Sequence, residues 1–137
     1  MPSKDIQLLL VEDTPGDILL IRRAIRQAGV SVQVRLAMDG EQAIKILSEA
    51  AYRPDLVILD VNIPKLSGLS VLERCRVEAP VVVFTSSSSL DDRVRATALG
   101  AKEYVQKPSD LDAFEEQVSR MIRNWLISPD MAASAGN

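Results

Sequence analysis

The amino-acid sequence predicts an α/β fold, a doubly wound sheet of five mostly parallel strands with five helices distributed over both faces. Three observations carry that expectation. Short strand-prone runs and amphipathic stretches alternate five times along the 137 residues. Four of the runs are strongly apolar or β-branched, the pattern of strands buried on both faces. Two of the amphipathic stretches end in glycine, a helix-stop residue.

The elements follow in order. "IQLLLV" (6–11) reads as the first strand. The helix after it, "DILLIRRAIRQAG", places Ile18, Ile21, Ile25 and Ala28 on one face and stops at Gly29. "VQVRL" (32–36) is the second strand, and "DGEQAIKILSEA" brings Ala43, Ile44 and Leu47 together at helical spacing. "LVILD" (56–60) is the third, followed by "SGLSVLERCR" with Leu69 near Leu72 and Val71 near Cys75. "VVVFT" (81–85) leads to "LDDRVRATALG", which stops at Gly100. "EYVQK" (103–107) is the last strand. The longest helix then sets Leu111, Phe114, Val118, Met121, Ile122 and Trp125 on one side. Residues 1–127 are expected to form one domain, and 128–137, small and polar, a disordered tail.

Composition narrows the function. A net charge of -3 gives no basic surface for nucleic acid or anionic lipid. No apolar run approaches a membrane span and the start lacks a secretion-signal plan, so the cytoplasm is the expected location. The single cysteine, Cys75, cannot form an internal disulfide. There is no histidine. Its absence removes Ser-His-Asp and Cys-His catalysis, histidine-ligated zinc and a phosphohistidine carrier. Any chemistry must use carboxylates, hydroxyls and lysine.

Such residues collect at the strand ends. The first strand ends in Glu12 and Asp13, the third in Asp60, the fourth in Thr85 before four serines, and the fifth in Lys107 before Pro108. Ligands bind beyond the carboxyl ends of strands in doubly wound sheets. Three neighbouring carboxylates repel unless a cation offsets them, and a hard oxygen donor set suits Mg²⁺. A carboxylate beside a cation, a lysine and a hydroxyl can attack phosphorus and form an aspartyl phosphate. Each residue alone has an ordinary structural explanation: Asp13 as a helix cap, Asp60 as the start of a turn, Thr85 as a loop cap, Lys107 as a solvated charge. Their joint placement favours a site.

The sequence resembles the receiver domain of two-component response regulators over about residues 5–127, through "ED" (12–13), "LDVNIPKLSG" (59–68), "FTSS" (84–87) and "YVQKP" (104–108). The resemblance implies a flavodoxin-like fold with strand order 2-1-3-4-5. It implies that Asp60 accepts phosphate from a sensor histidine kinase. Glu12, Asp13, Asp60 and the backbone carbonyl of Asn62 would hold Mg²⁺. Thr85 resembles the switch hydroxyl, Tyr104 the aromatic that follows it, and Lys107 the lysine that contacts the phosphoryl group. The bond between Lys107 and Pro108 resembles the family's cis peptide, and Gly68 a glycine of the loop after the phosphorylated strand.

Some positions depart from the family pattern. Glu12 stands where many members have aspartate, implying metal contact through water, and Ile63 replaces a common methionine. "ERCRVEAP" is short, which predicts a truncated third helix. Asn62 and Ser87 occupy positions that tune phosphoryl lifetime, and neither is an acid.

The resemblance implies a single-domain switch whose face built from the fourth helix, fifth strand and fifth helix binds a downstream protein, a phosphotransfer protein or a second copy. Neither nucleic acid nor membrane is an expected partner, and catalysis would be confined to its own aspartate. The ending "MIRNWLISP" resembles short regulators paired with bacterial phytochrome-type kinases. A phosphorylation-independent interaction module is the competing reading, but it is disfavoured because Asp13, Asp60, Thr85 and Lys107 are all present. A hydrolase of the aspartyl-phosphate type would want an acid where Asn62 stands. A flavin carrier would not place the acids of "VEDTPGD" in its phosphate loop.

Overall fold

The computed structural model describes residues 5–127; the tail expected over 128–137 lies outside them. Ten elements alternate: β1 (Ile6–Val11), α1 (Pro15–Gln27), β2 (Val32–Ala37), α2 (Gly40–Leu47), β3 (Leu56–Leu59), α3 (Gly68–Arg74), β4 (Val81–Thr85), α4 (Leu90–Ala98), β5 (Glu103–Gln106) and α5 (Leu111–Leu126). The strands are all parallel, and their order β2-β1-β3-β4-β5 is the one the family resemblance implies.

Alternation along each strand divides the core into layers. Leu8 and Leu10 of β1, with Ile58 and Phe84, pack against Ile21 and Ile25 of α1 and Phe114, Val118, Met121 and Ile122 of α5. Leu9, Val11, Val57 and Leu59 face the other way, toward Ala43 and Ile46 of α2 and Val71 and Leu72 of α3. Val83 joins Val61, Leu69 and Ala96 of α4 in a smaller cluster. All residues of β3 and β4 are buried, because helices cover both faces of the central strands.

Local signals explain the helix ends. Asp39, Ser67, Ser89 and Asp110 each accept a bond from the backbone N–H three residues on, capping α2, α3, α4 and α5. Gly29 and Gly100 take φ of 75° and 104° just past α1 and α4, confirming the two glycine stops. The third helix is short as expected, since Cys75 is already extended (φ −117°, ψ 132°).

Three assignments shift. In α2 the buried apolar side chains are Ala43 and Ile46, while Ile44 and Leu47 are only partly buried. Leu111 is 63% exposed rather than part of the apolar side, because it opens α5 ahead of the turn that begins packing at Phe114. Strand β5 ends at Gln106, which leaves Lys107 in the following loop.

Gly68 sets how close α3 comes to the end of β3. A Cβ on Gly68 would overlap the backbone carbonyl oxygen of Asp60, whereas one on Gly16 would meet nothing within 4 Å. Gly68→Ala is therefore expected to lower stability in urea unfolding by about 1–3 kcal/mol, as overpacking against fixed backbone does. Gly16→Ala should change it by less than about 1 kcal/mol in either direction.

Candidate functional site

The carboxyl edge of β1, β3 and β4 and the loop after β5 bring together the residues that the sequence singled out. Parallel pairing aligns Val11 with Leu59, so Glu12 and Asp60 leave the sheet side by side. Burial is unusual for such groups: Glu12 is 1% exposed, Asp60 5% and Thr85 0%. Buried carboxylates need counter-charge or hydrogen bonds.

Lys107 supplies both. Its Nζ donates to Glu12 Oε1 at 2.6 Å, to Asp17 Oδ2 at 2.8 Å and to Asp60 Oδ2 at 2.9 Å. Three acceptors use all three ammonium donors. The second oxygens of Glu12 and Asp60 are held by backbone. Glu12 Oε2 accepts from the N–H groups of Asp13 and Thr14 at 3.1 and 3.2 Å, and Asp60 Oδ1 from that of Asn62 at 3.0 Å. Asp60 thus does begin a turn, and it does so at the centre of the cluster.

Two pKa shifts follow from this packing. Burial pushes Glu12 above the ordinary glutamate value, and the contacts with Lys107 oppose but do not cancel it. Burial works against the Lys107 charge, but the bonds to Asp17, Glu12 and Asp60 outweigh it and hold the ammonium protonated.

Glu12, Asp13 and Asp60 each present a carboxylate oxygen, and these lie within 4.8 Å of one another. Three hard oxygen donors at that spacing fit a small divalent cation. Asp13 is free for the role, because the residue at the start of α1 is Thr14, whose side chain makes no capping bond. The Asn62 backbone turns back on Asp60 through its N–H.

The peptide bond expected to be cis between Lys107 and Pro108 is trans; no cis peptide occurs among the described residues. Trans is the lower-energy form of an X–Pro bond by about 0.5–1 kcal/mol. In that form the Lys107 backbone N–H already bonds the Thr85 carbonyl at 2.7 Å while the side chain reaches the acids.

Asp17 is the member that sequence reasoning missed. It lies in the first turn of α1, where an acid suits the helix dipole. Its signal was its place one turn beyond the acidic pair, but nothing in the sequence tied it to a lysine 90 positions away.

Thr85 and Tyr104 meet through the loop between β4 and α4. Thr85 Oγ1 accepts from Ser87 N–H at 3.3 Å, so the hydroxyl does cap a loop. Tyr104 Oη donates to the Ser87 carbonyl at 3.0 Å, and the Arg93 guanidinium lies 4.9 Å from the centre of its ring. Ser87 Oγ in turn donates to Asp92 Oδ2 at 2.7 Å. The loop after β3 is also constrained: Lys65 takes φ 69°, closing a tight turn from Leu66 N–H to the Pro64 carbonyl. Trp125 is tied to the start of β5, its Nε1 donating to Glu103 Oε1 at 2.6 Å.

Comparison with known proteins places this geometry. The response regulator receiver domain family matches residues 8–119. The chain is 38% identical over 110 residues to the transcriptional regulatory protein DltR of Streptococcus agalactiae, covering 78% of this chain and 47% of that protein. It spans about half the length of the curated relatives it matches. The phosphorylated cyanobacterial phytochrome response regulator RcpA aligns with a TM-score of 0.82 and 31% identity, over 90% of this chain and 96% of that one. The Mn²⁺-bound form of response regulator Rcp1 aligns with a TM-score of 0.83 and 28% identity, over the same shares, 90% and 96%.

Removing the ammonium should expose the cost of the buried acids. Lys107→Met is expected to lower stability at pH 7, without divalent cations, by about 3–5 kcal/mol. Because the Glu12 pKa is raised by folding, its contribution is fully present below about 4.5 and is lost as pH rises through the folded value. The Lys107→Met deficit should therefore shrink on going from pH 7 to pH 5 in urea titrations. An equal deficit at both pH values would show that ionised Glu12 is not its source.

Proposed function

This chain belongs to the response regulator receiver domain family, and on that premise we propose that it is a phosphorylation-activated switch with Asp60 as the acceptor. The observation that carries the proposal is the buried Asp60 carboxylate beside Glu12, Asp13 and Lys107 at the end of β3. In the proposed reaction an Asp60 carboxylate oxygen bonds to the phosphorus of a kinase phosphohistidine, and the P–N bond breaks with its electron pair returning to the imidazole. The chemistry is confined to the protein's own aspartate.

Glu12, Asp13 and Asp60, with the Asn62 carbonyl, would hold Mg²⁺. When bound, Mg²⁺ offsets the negative charge gathered on the phosphoryl oxygens. Lys107 brings a protonated donor to the same place, already desolvated and fixed. Thr85 stands at the adjacent strand end. If its hydroxyl turns toward the phosphoryl group, Ser87 N–H loses its acceptor, and the Ser87 carbonyl that holds Tyr104 moves with it. The loop therefore links the acceptor to α4 and β5.

The output face is proposed to be α4, β5 and α5. Leu90 and Val94, one turn apart on α4, are 71% and 59% exposed, and Leu111 opens α5 with 63% exposure. Neighbouring exposed apolar side chains, as Leu90 and Val94 are, suit a partner surface. The partner is a downstream protein, a phosphotransfer protein or a second copy. The likeness to RcpA supports a phytochrome-type histidine kinase as phosphate donor. The receiver unit is proposed to run over residues 1–127 and to work in the cytoplasm.

Intact mass after incubation with acetyl phosphate tests the acceptor and the metal together. One phosphoryl group should add in the presence of Mg²⁺, none with a chelator, and none in Asp60→Asn. No addition under any condition would support a binding module that works without phosphate. For the donor, a phosphorylated phytochrome-type kinase should transfer to this chain faster than an unrelated kinase does.

A further inference from the structure

We propose that Asp17 is a positioning residue for Lys107, the carboxylate that keeps the ammonium paired when Glu12 and Asp60 are engaged by a divalent cation. The inference rests on the receiver reading above and extends it to a residue outside the acid trio.

Lys107 Nζ spends its three donors on Glu12, Asp17 and Asp60. Two of these acceptors belong to the trio that can hold a cation, and Asp17 does not. Cation and ammonium therefore compete for the same two carboxylates. The Lys107 side chain is only 5% exposed, so bulk water cannot take over the donors it loses. Asp17 can. Its own side chain is 26% exposed, at the rim of the cluster, in the first turn of α1, where the helix dipole favours an acidic side chain.

Without Asp17, the buried ammonium would have carboxylate partners only within the trio that holds the cation. The lysine would then hold Glu12 and Asp60 more tightly against the cation. A different account is that Asp17 acts only as one more negative charge near the metal. The two accounts differ in one respect: the first needs Lys107 and the second does not.

The test is calorimetric titration with Mg²⁺ of four proteins at one ionic strength: wild type, Asp17→Asn, Lys107→Met and the double variant. Asp17→Asn should weaken Mg²⁺ binding roughly tenfold, the scale of one charge-assisted hydrogen bond. In the Lys107→Met background the same change should alter affinity less than about twofold, the coupling a double-mutant cycle isolates. Equal weakening in both backgrounds, or none in either, would overturn the proposal. Absence of Mg²⁺ binding by wild type would instead overturn the receiver reading beneath it. Should Lys107→Met fail to fold, wild type and Asp17→Asn are compared across increasing KCl. A loss acting through the buried lysine keeps its fold-change, whereas one acting as a bare rim charge is screened away and overturns the proposal.

Discussion

The arrangement of this protein's working edge depends on one ammonium group held among three carboxylates. Lys107 is carried there by the loop after β5, Glu12 by the end of β1, Asp60 by the end of β3 and Asp17 by α1. Four separate parts of the chain thus meet at one charge. Carboxylates as buried as Glu12 and Asp60 are costly in an apolar setting without a counter-charge, and Lys107 supplies it. The interaction is also unequal, because burial still raises the Glu12 pKa despite the lysine. One ammonium among three carboxylates leaves room for additional positive charge.

The rigid frame around the cluster has a plain cause. Central strands covered on both faces hold their ends in fixed register, so Glu12 and Asp60 cannot drift relative to one another. The loop after β3 adds constraint through the turn at Lys65 and the close approach of Gly68 to the Asp60 carbonyl. By contrast, the loop from Thr85 to α4 is held by single hydrogen bonds through Ser87. The end of β3 is thus fixed by backbone packing, whereas the loop after β4 is fixed by individual hydrogen bonds that can be exchanged one at a time.

Much was legible in the sequence because it depends on local pattern. Short apolar runs, helical spacing and the stops at Gly29 and Gly100 determine the order of elements, and chemistry-bearing residues at strand ends mark the edge where a site can lie. Glu12, Asp13, Asp60 and Lys107 could be named from the sequence for that reason, and the family resemblance supplied their expected roles.

Tertiary structure decided what depends on approach rather than pattern. Asp17 joined the cluster only once α1 and β5 were packed on the same sheet, since no local signal links residues 90 positions apart. The exposure of Leu111 depended on where α5 meets the sheet, not on its place in a helical repeat. The sequence by itself determined which elements form and which edge bears the acids, because periodicity and strand ends are local. Which acids share the lysine was settled by folding, because a short hydrogen bond depends on the ångström-scale meeting of distant elements.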